Sequence, residues 1–358
     1  MTNSDAQPRL IGEYKVPTGK LVRVELETAD GVITAVSVSG DFFLEPDEAL
    51  DDINQAMIGA STSASTAELA ATVEARLAPT AHLVGFDANA VAVAAGRALG
   101  RTGSWDGLVF DVIPPMVLHP AWHVAMDEVI AAEVGAGKRH PTLRFWDWDR
   151  PLVVIGSFQS VRNEVDETAA DRYGISVVRR ITGGGAMFME PGNCITYSLV
   201  VPGELVTGMS YRASYEYLDR WVVGALASVG ITAHYVPLND IASDVGKIGG
   251  AAQRRFVDGT VLHHVTMSYD IDADKMMQVL RIGREKLSDK GTTSSNKRVD
   301  PMRSQTGLPR QAIIDAFIDH FMRLYQCQLS NYTAEELIDA EELAATKFTS
   351  PQWTYRVP

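Results

Sequence analysis

Residues 246–271, GKIGGAAQRRFVDGTVLHHVTMSYDI, constrain the fold more than any other stretch, because two strand-like runs flank Asp258-Gly259. Asp-Gly between alternating apolar runs is the strongest short-range hairpin signal. A second such pair, KLVRVELETADGVITAVSVSGDFF, turns at Asp30-Gly31. Hairpins join antiparallel strands, whereas parallel strands need a crossover of a dozen residues or more. Helical patterns fall between these pairs rather than after every strand. The pattern predicts an α+β protein with mixed or antiparallel sheets flanked by helices, not repeating βαβ units. There is no internal repeat.

Two parts are expected. In the first, the Asp30-Gly31 hairpin precedes three helical segments, PDEALDDINQAMIG, STAELAATVEARLA and DANAVAVAAGRALG, with Ser65 as N-cap of the second and Glu68 three residues on. The tract GRTGSWDG, residues 100–107, has linker composition. The expected boundary gives a small α+β domain over 1–103 and a larger one over 104–358. In the larger part AWHVAMDEVIAAEV reads as an amphipathic helix and RPLVVIGSFQ as a buried strand ending at Gly156. GISVVRRITGGGA reads as a strand running into glycines, and YRASYEYLDRWVVGALASVG as a long helix stopped by Gly230. RQAIIDAFIDHFMRLYQ is a further amphipathic helix.

An apolar share of 46% supports a real core. The formal charge of −13 argues against general nucleic-acid binding, which needs a cationic footprint. The opening residues lack a secretory pattern, and no apolar run nears the ~18 residues of a membrane span. With two cysteines, Cys194 and Cys327, there is neither a disulfide framework nor a zinc knuckle. A cytoplasmic protein is the expectation. Positive charges nevertheless bunch at Arg179-Arg180, Lys247, Arg254-Arg255, and Lys286, Lys290, Lys297 and Arg298.

Two constellations could carry chemistry. Gly183, Gly184 and Gly185 follow a strand directly, and residues without Cβ atoms let a backbone approach a ligand and turn N–H groups toward it. Arg179 and Arg180 alternate sides, so at most one faces that loop. The sequence is neither a Walker loop nor a dinucleotide fingerprint. In GKIGGAAQ, Lys247 precedes Gly249, Gly250, Ala251 and Ala252, so its ammonium can reach a ligand without crowding, or else face solvent. Cys194 and Cys327 read as core residues. His263 and His264 are expected on opposite faces of a strand as structural histidines, and no metal site is expected.

Taken together, AMDEVI, LRFW, VVIGSFQSVRNEV, RRITGGGAMFMEPGN, ND, GKIGGAAQRR, DGTVLHH and KLSDKGTTSSNKRVDPM resemble, in order, the lipoate–protein ligase family, which shares its catalytic fold with biotin–protein ligases. The likeness spans residues 109–325, and residues 8–100 resemble the family's small accessory domain. It implies a biotin/lipoate ligase-like catalytic domain. It also implies that ATP and the carboxylate of lipoate or octanoate form an acyl-adenylate, with Mg2+ on the phosphates. The acyl group then passes to a lysine of a lipoyl carrier domain, in a 2-oxoacid dehydrogenase complex or a glycine cleavage H protein. By the same resemblance Lys247 is the catalytic residue. Arg180, Gly183, Gly184, Gly185, Ala186, Met187, Phe188, Asp240 and Lys247 face ATP or the adenylate. Gly184, Lys247, Gly250 and Ala251 face lipoate.

The alternatives are an octanoyl or lipoyl transferase working without ATP, a non-catalytic acyl-adenylate binder and, further off, a biotin ligase. Octanoyltransferases related to the family use a cysteine thioester, with the cysteine a short way upstream of the lysine. Here YVPLNDIASDVGK has none. Met189-Glu190 stands where ligases usually have His-Asp.

Overall fold

The computed structural model describes residues 9–16, 19–64, 66–99, 105, 108–207, 209–281 and 299–358. Ser65, most of the 100–107 tract, and Lys286, Lys290, Lys297 and Arg298 lie outside the described residues. The chain divides into two units, one of residues 1–104 with 204–209 and the other of residues 105–203 with 210–358.

In the first unit β1 (Leu10–Lys15), β2 (Leu21–Ala29) and β3 (Val32–Gly40) form an antiparallel sheet, and β4 (Phe43–Glu45) pairs with β5 (His82–Val84). Asp30 and Gly31, with φ of 52° and 78°, make the β2–β3 turn, the left-handed pair that a two-residue hairpin needs. Val22, Val24 and Leu26 alternate inward. The helices are α1 (Ala49–Ala56), α2 (Thr66–Arg76) and α3 (Ala88–Ala98). Asp87 caps α3 by accepting from the Ala90 N–H at 2.7 Å. Alanine-rich α3 lies so close to β1 that a Cβ on Gly12 would stand 2.1 Å from the Ala94 carbonyl.

The second unit runs β6 (Val109–Leu118), α4 (Pro120–Gly135), β7 (Thr142–Trp148), β8 (Leu152–Ile155), short helices α5 (Val161–Glu164) and α6 (Glu167–Arg172), β9 (Ser176–Arg179), β10 (Met187–Met189) and β11 (Cys194–Val201). There follow α7 (Tyr211–Ser228), β12 (His234–Val236), β13 (Asp240–Ala242), β14 (Lys247–Arg255), β15 (Val261–Ser268), α8 (Ala273–Val279), α9 (Met302–Thr306), α10 (Arg310–Leu324), β16 (Gln326–Leu329), α11 (Ala334–Leu343), a π-turn (Ala344–Phe348) and α12 (Pro351–Thr354). An eight-stranded sheet has the order β12-β13-β14-β15-β11-β7-β6-β16, and β10-β8-β9 form a second sheet. The large sheet is mixed: β14–β15 is the antiparallel hairpin, whereas β6 pairs in parallel with both β7 and β16.

Side-chain alternation divides the large sheet into two faces. On one, Arg144, Trp146, Ser198 and His264 meet α4, with His123 of α4 stacked on Trp146. On the other, His263 and Tyr197 reach Asp219 of α7, and Trp221 packs on Phe317 and Phe321 of α10. The expected separation of His263 and His264 is thus observed. Two sequence readings are corrected. Helix α4 is not amphipathic but buried nearly all round, at His123 and Asp127 as well as its apolar residues, because layers cover both its sides. Cys327 is not a core residue. It sits half-exposed on the edge strand β16, where only one side of the strand has a neighbour.

Candidate active site

Strands β9 and β10 flank β8 on opposite edges, so residues 180–186 must cross over the end of β8. Gly156, just past β8, lies under that crossing. A Cβ there would stand 2.2 Å from the Gly184 carbonyl oxygen, and the Ser157 N–H donates to the Thr182 carbonyl at 2.7 Å. Gly184 itself has φ of 90°, a conformation costly for any residue with a Cβ. Gly156 and Gly184 are therefore dictated by the packing and backbone of this crossing as much as by any ligand.

Arg180 is the arginine that turns to this loop, and it is buried. Its Nε donates to Thr182 Oγ1 at 2.9 Å, and its Nη2 donates to the carbonyls of Gly183 at 2.5 Å and Gly185 at 3.0 Å. Burial pulls its pKa down to about 10, which leaves it charged at neutral pH. In a trans peptide the C=O and the following N–H point opposite ways. With the Gly183 and Gly185 carbonyls aimed at Arg180, the N–H groups of Gly184 and Ala186 point away from it. Gly184 and Gly185 are exposed, and nothing lies within 4 Å of a Cβ built on Gly185. Two outward N–H dipoles beside open space are the elements of an anion nest.

Behind the loop runs a hydrogen-bonded chain. Thr182 Oγ1 lies 2.7 Å from His264 Nε2, and His264 Nδ1 lies 2.9 Å from Asp127 Oδ2. Asp127 also pairs with Arg144. The partners fix the protons. The carboxylate accepts from His264 Nδ1–H, Nε2 accepts from the Thr182 hydroxyl, and that oxygen accepts from Arg180 Nε–H. Burial lowers the His264 pKa against the opposing pull of Asp127, so the ring is neutral. For Asp127 burial acts upward, but Arg144, His264 and Ser198 outweigh it and hold the carboxyl below its ordinary value.

Lys247 opens β14, and its Nζ lies 2.8 Å from Asp240 Oδ1. A Cβ on Gly250 would come within 3.1 Å of that Nζ and 3.6 Å of the Asp240 oxygen. Lys247, Asp240 and Gly250 therefore share one face. Simple alternation would put residues 247 and 250 on opposite faces. The register supplies the change of parity: Ile241 pairs with Gly249 but Ala242 with Lys247, so Ile248 is one residue extra. Two residues on, Ala252 looks the same way, and its Cβ is 3.7 Å from a Cβ built on Gly184. The ammonium and the glycine loop thus stand on one face of β14, roughly 7 Å apart along the strand at ~3.4 Å per residue. Asn239 secures the arrangement, accepting from the Ala251 N–H at 2.8 Å and donating to the Ala251 carbonyl at 2.6 Å.

Asp240, Lys247 and Gly250 share this face with the approach of Gly184, Arg180 lies buried behind the loop, and Gly183, Gly185, Ala186 and Met187 flank Gly184 along the chain. Two expected contact residues are placed otherwise. The Phe188 side chain is buried among Val153, Ile155 and Val161, because strand alternation turns it from Met187 and Met189. Ala251 points to the far side of β14, with its backbone held by Asn239. Sequence reasoning missed Thr182, Asn239 and Asp127 as site components, although all three lie within the quoted motifs RRITGGGAMFMEPGN, ND and AMDEVI. It read His264 as structural, without its bond to the loop.

Met189 is fully buried in the apolar cluster with Trp146, Trp148 and Cys194, while Glu190 pairs with Lys275. Cys194 is the packing residue expected: burial pushes its thiol up to about 12. Among the described residues no group of three or more His, Cys, Asp or Glu side chains could hold a metal ion, and no helix is long and apolar enough to cross a membrane.

Residues 119–323 match the family model described as the lipoyl protein ligase A/B catalytic domain. The octanoyltransferase LipM of Kyrpidia tusciae is 29% identical over 264 residues, covering 66% of this chain and 94% of that protein. Lipoate–protein ligase 1 of Staphylococcus aureus is 27% identical over 243 residues, covering 67% of this chain and 71% of that one. Among solved structures, the bipartite lipoate protein ligase of Thermoplasma acidophilum, described with its E2 lipoyl domain, superposes with a TM-score of 0.60 at 27% identity, covering 70% of this chain and 98% of that one. The mixed α+β fold, the ordered motifs and the matched length agree: this chain belongs to the lipoyl protein ligase A/B catalytic-domain family and is an enzyme of the lipoate ligase and acyltransferase group.

Proposed function

We propose that the protein is an ATP-dependent lipoate–protein ligase. The reading rests above all on Lys247, whose ammonium stands on the face of β14 that also approaches Gly184 of the glycine loop. Lipoate carboxylate oxygen attacks the α-phosphorus of ATP, the bond to the β-phosphate bridging oxygen breaks, and pyrophosphate leaves. Lys247 offsets the negative charge that builds between carboxylate and phosphate, and the N–H groups of Gly184 and Ala186 receive phosphate oxygens without reorganising. Arg180 acts from behind, holding the loop carbonyls inward. A lysine amine of a lipoyl carrier domain then attacks the acyl carbon and AMP leaves. Magnesium would be held chiefly through the phosphates, where it would offset their negative charge. Residues 1–103 serve as the accessory domain.

The competing reading is octanoyl transfer without ATP, the activity named for the Kyrpidia tusciae relative. It needs a thiol that forms a thioester, and burial opposes ionisation of Cys194 while Cys327 lies on the edge strand β16, away from Lys247 in the sheet order. Both features favour the ligase. Incubation with lipoate, ATP and Mg2+ should release pyrophosphate and lipoylate a lipoyl domain. Acyl transfer from octanoyl–carrier protein at full rate without ATP would replace this reading with the transferase.

A further inference from the structure

The chain's last residues, beyond the 119–323 stretch matched by the family model, are tied to the glycine loop by two arginines. Arg179, fully buried, donates from Nε to the carbonyls of Trp353 and Thr354, each at 3.0 Å, and from Nη2 to Thr354 at 2.5 Å. Its Nη1 donates to the carbonyls of Gly156 at 3.0 Å, Ser157 at 3.2 Å and Gln159 at 2.6 Å. One guanidinium therefore joins the C-terminal turn to the turn after β8. The tail answers twice. Trp353 Nε1 donates to the Arg179 carbonyl at 2.9 Å, and Arg356 Nη2 donates to the Ser157 carbonyl at 2.8 Å and to its hydroxyl at 2.5 Å. The Arg356 guanidinium also lies 4.1 Å from the Trp353 ring.

The 156–159 turn is in turn the floor of the glycine loop, through the Gly156–Gly184 approach and the bond from Ser157 N–H to Thr182. The arginine links are charge-assisted hydrogen bonds, and most of the links end on main-chain groups of the turn beneath the loop. We infer that Arg356 and the 353–356 segment are a positioning strap for the nucleotide-binding loop, with Arg356 holding the Ser157–Gln159 turn in the place that Arg180 and Gly184 require. The functional consequence rests on the ligase reading, whereas the mechanical coupling does not.

Two measurements separate them. Hydrogen–deuterium exchange on the full chain without substrate should show Arg356→Ala speeding exchange both at 156–160 and at 181–187. Arg356→Lys should restore most of the protection, because one ammonium can still reach both Ser157 oxygens. Tyr355→Phe, which removes only a bond from the tail to Glu167, should leave both segments as in wild type. Faster exchange confined to 351–358 in Arg356→Ala, or equal effects from Tyr355→Phe, would overturn the strap. In lipoate-dependent pyrophosphate release, Arg356→Ala should raise KM for ATP by about tenfold, the equivalent of one charge-assisted hydrogen bond, with KM for lipoate unchanged and Lys recovering most of the loss. A rise equal for both substrates would overturn the assignment to the nucleotide loop. If wild type releases no pyrophosphate, the ligase reading fails, and the exchange data alone judge the strap.

Discussion

Lys247 Nζ occupies the space a side chain at Gly250 would need: a Cβ built there lies 3.1 Å away. The glycine keeps the amine free to swing between Asp240 and a ligand. Gly250→Ala should displace a flexible ammonium by a few tenths of an ångström, moving the melting temperature little. Pyrophosphate release should slow by about tenfold, because misplacement of a reacting group by a fraction of an ångström is expensive. Steady-state rates beside a melting curve test this.

Removing the charge altogether should do more. Lys247→Ala is expected to cut adenylation by at least ~10²-fold, in the range seen when a preorganised electrostatic group is lost, with circular dichroism unchanged. Near-normal turnover would reject the proposed role of this lysine.

Gly156→Ala tests the crossing of β8. The clash is with the Gly184 backbone at 2.2 Å, which cannot swing aside as a lysine tip can. A loss of about 1–3 kcal/mol, the usual cost of overpacking, is expected in denaturant titration, together with loss of activity. An unchanged midpoint would contradict the packing.

Cys194 should be dispensable for chemistry. With its thiol pushed up to about 12, it should resist alkylation at pH 8 in the native protein, and Cys194→Ala should keep acyl transfer within about threefold of wild type. A trapped acyl-thioester at this position would support the transferase instead.

The buried histidines make stability depend on pH. Burial, reinforced by Arg144, drives His123 down to about 3, and burial lowers His264 as well. The unfolded chain binds these protons near pH 6.5, so it gains protons first as pH falls. Stability should be full above about pH 6.5 and decline below it, by up to about 1.4 kcal/mol per pH unit for His123 until its folded pKa is passed. Melting temperatures between pH 7.5 and 4.5 check this, and His123→Gln should flatten the slope.

Local signals carried much of the fold. Asp30-Gly31 and Asp258-Gly259 mark hairpins because their backbone requirements are written in adjacent residues. Alternation likewise separated His263 from His264 and Arg179 from Arg180. What could not be read were relations between distant segments. The parallel pairing of β16 with β6 joins Gln326 to Val109, and nothing local announces it. The burial of α4 on nearly all sides depends on layers supplied by other parts of the chain. At the site, the lysine and glycines were legible as residue types. The bonds linking Thr182, His264 and Asp127 were not, because they join a loop, a strand and a helix far apart in sequence. Nor was the hold of Arg179 on Thr354.

The extra residue at Ile248 has a consequence for which changes this region can accept. Adding or deleting one amino acid between Lys247 and Gly249 would leave every side chain chemically intact yet swing the amine through the sheet, to the side of α7. Natural variants should therefore tolerate substitution of Ile248 more readily than its loss or duplication, since spacing rather than identity decides which way the lysine looks.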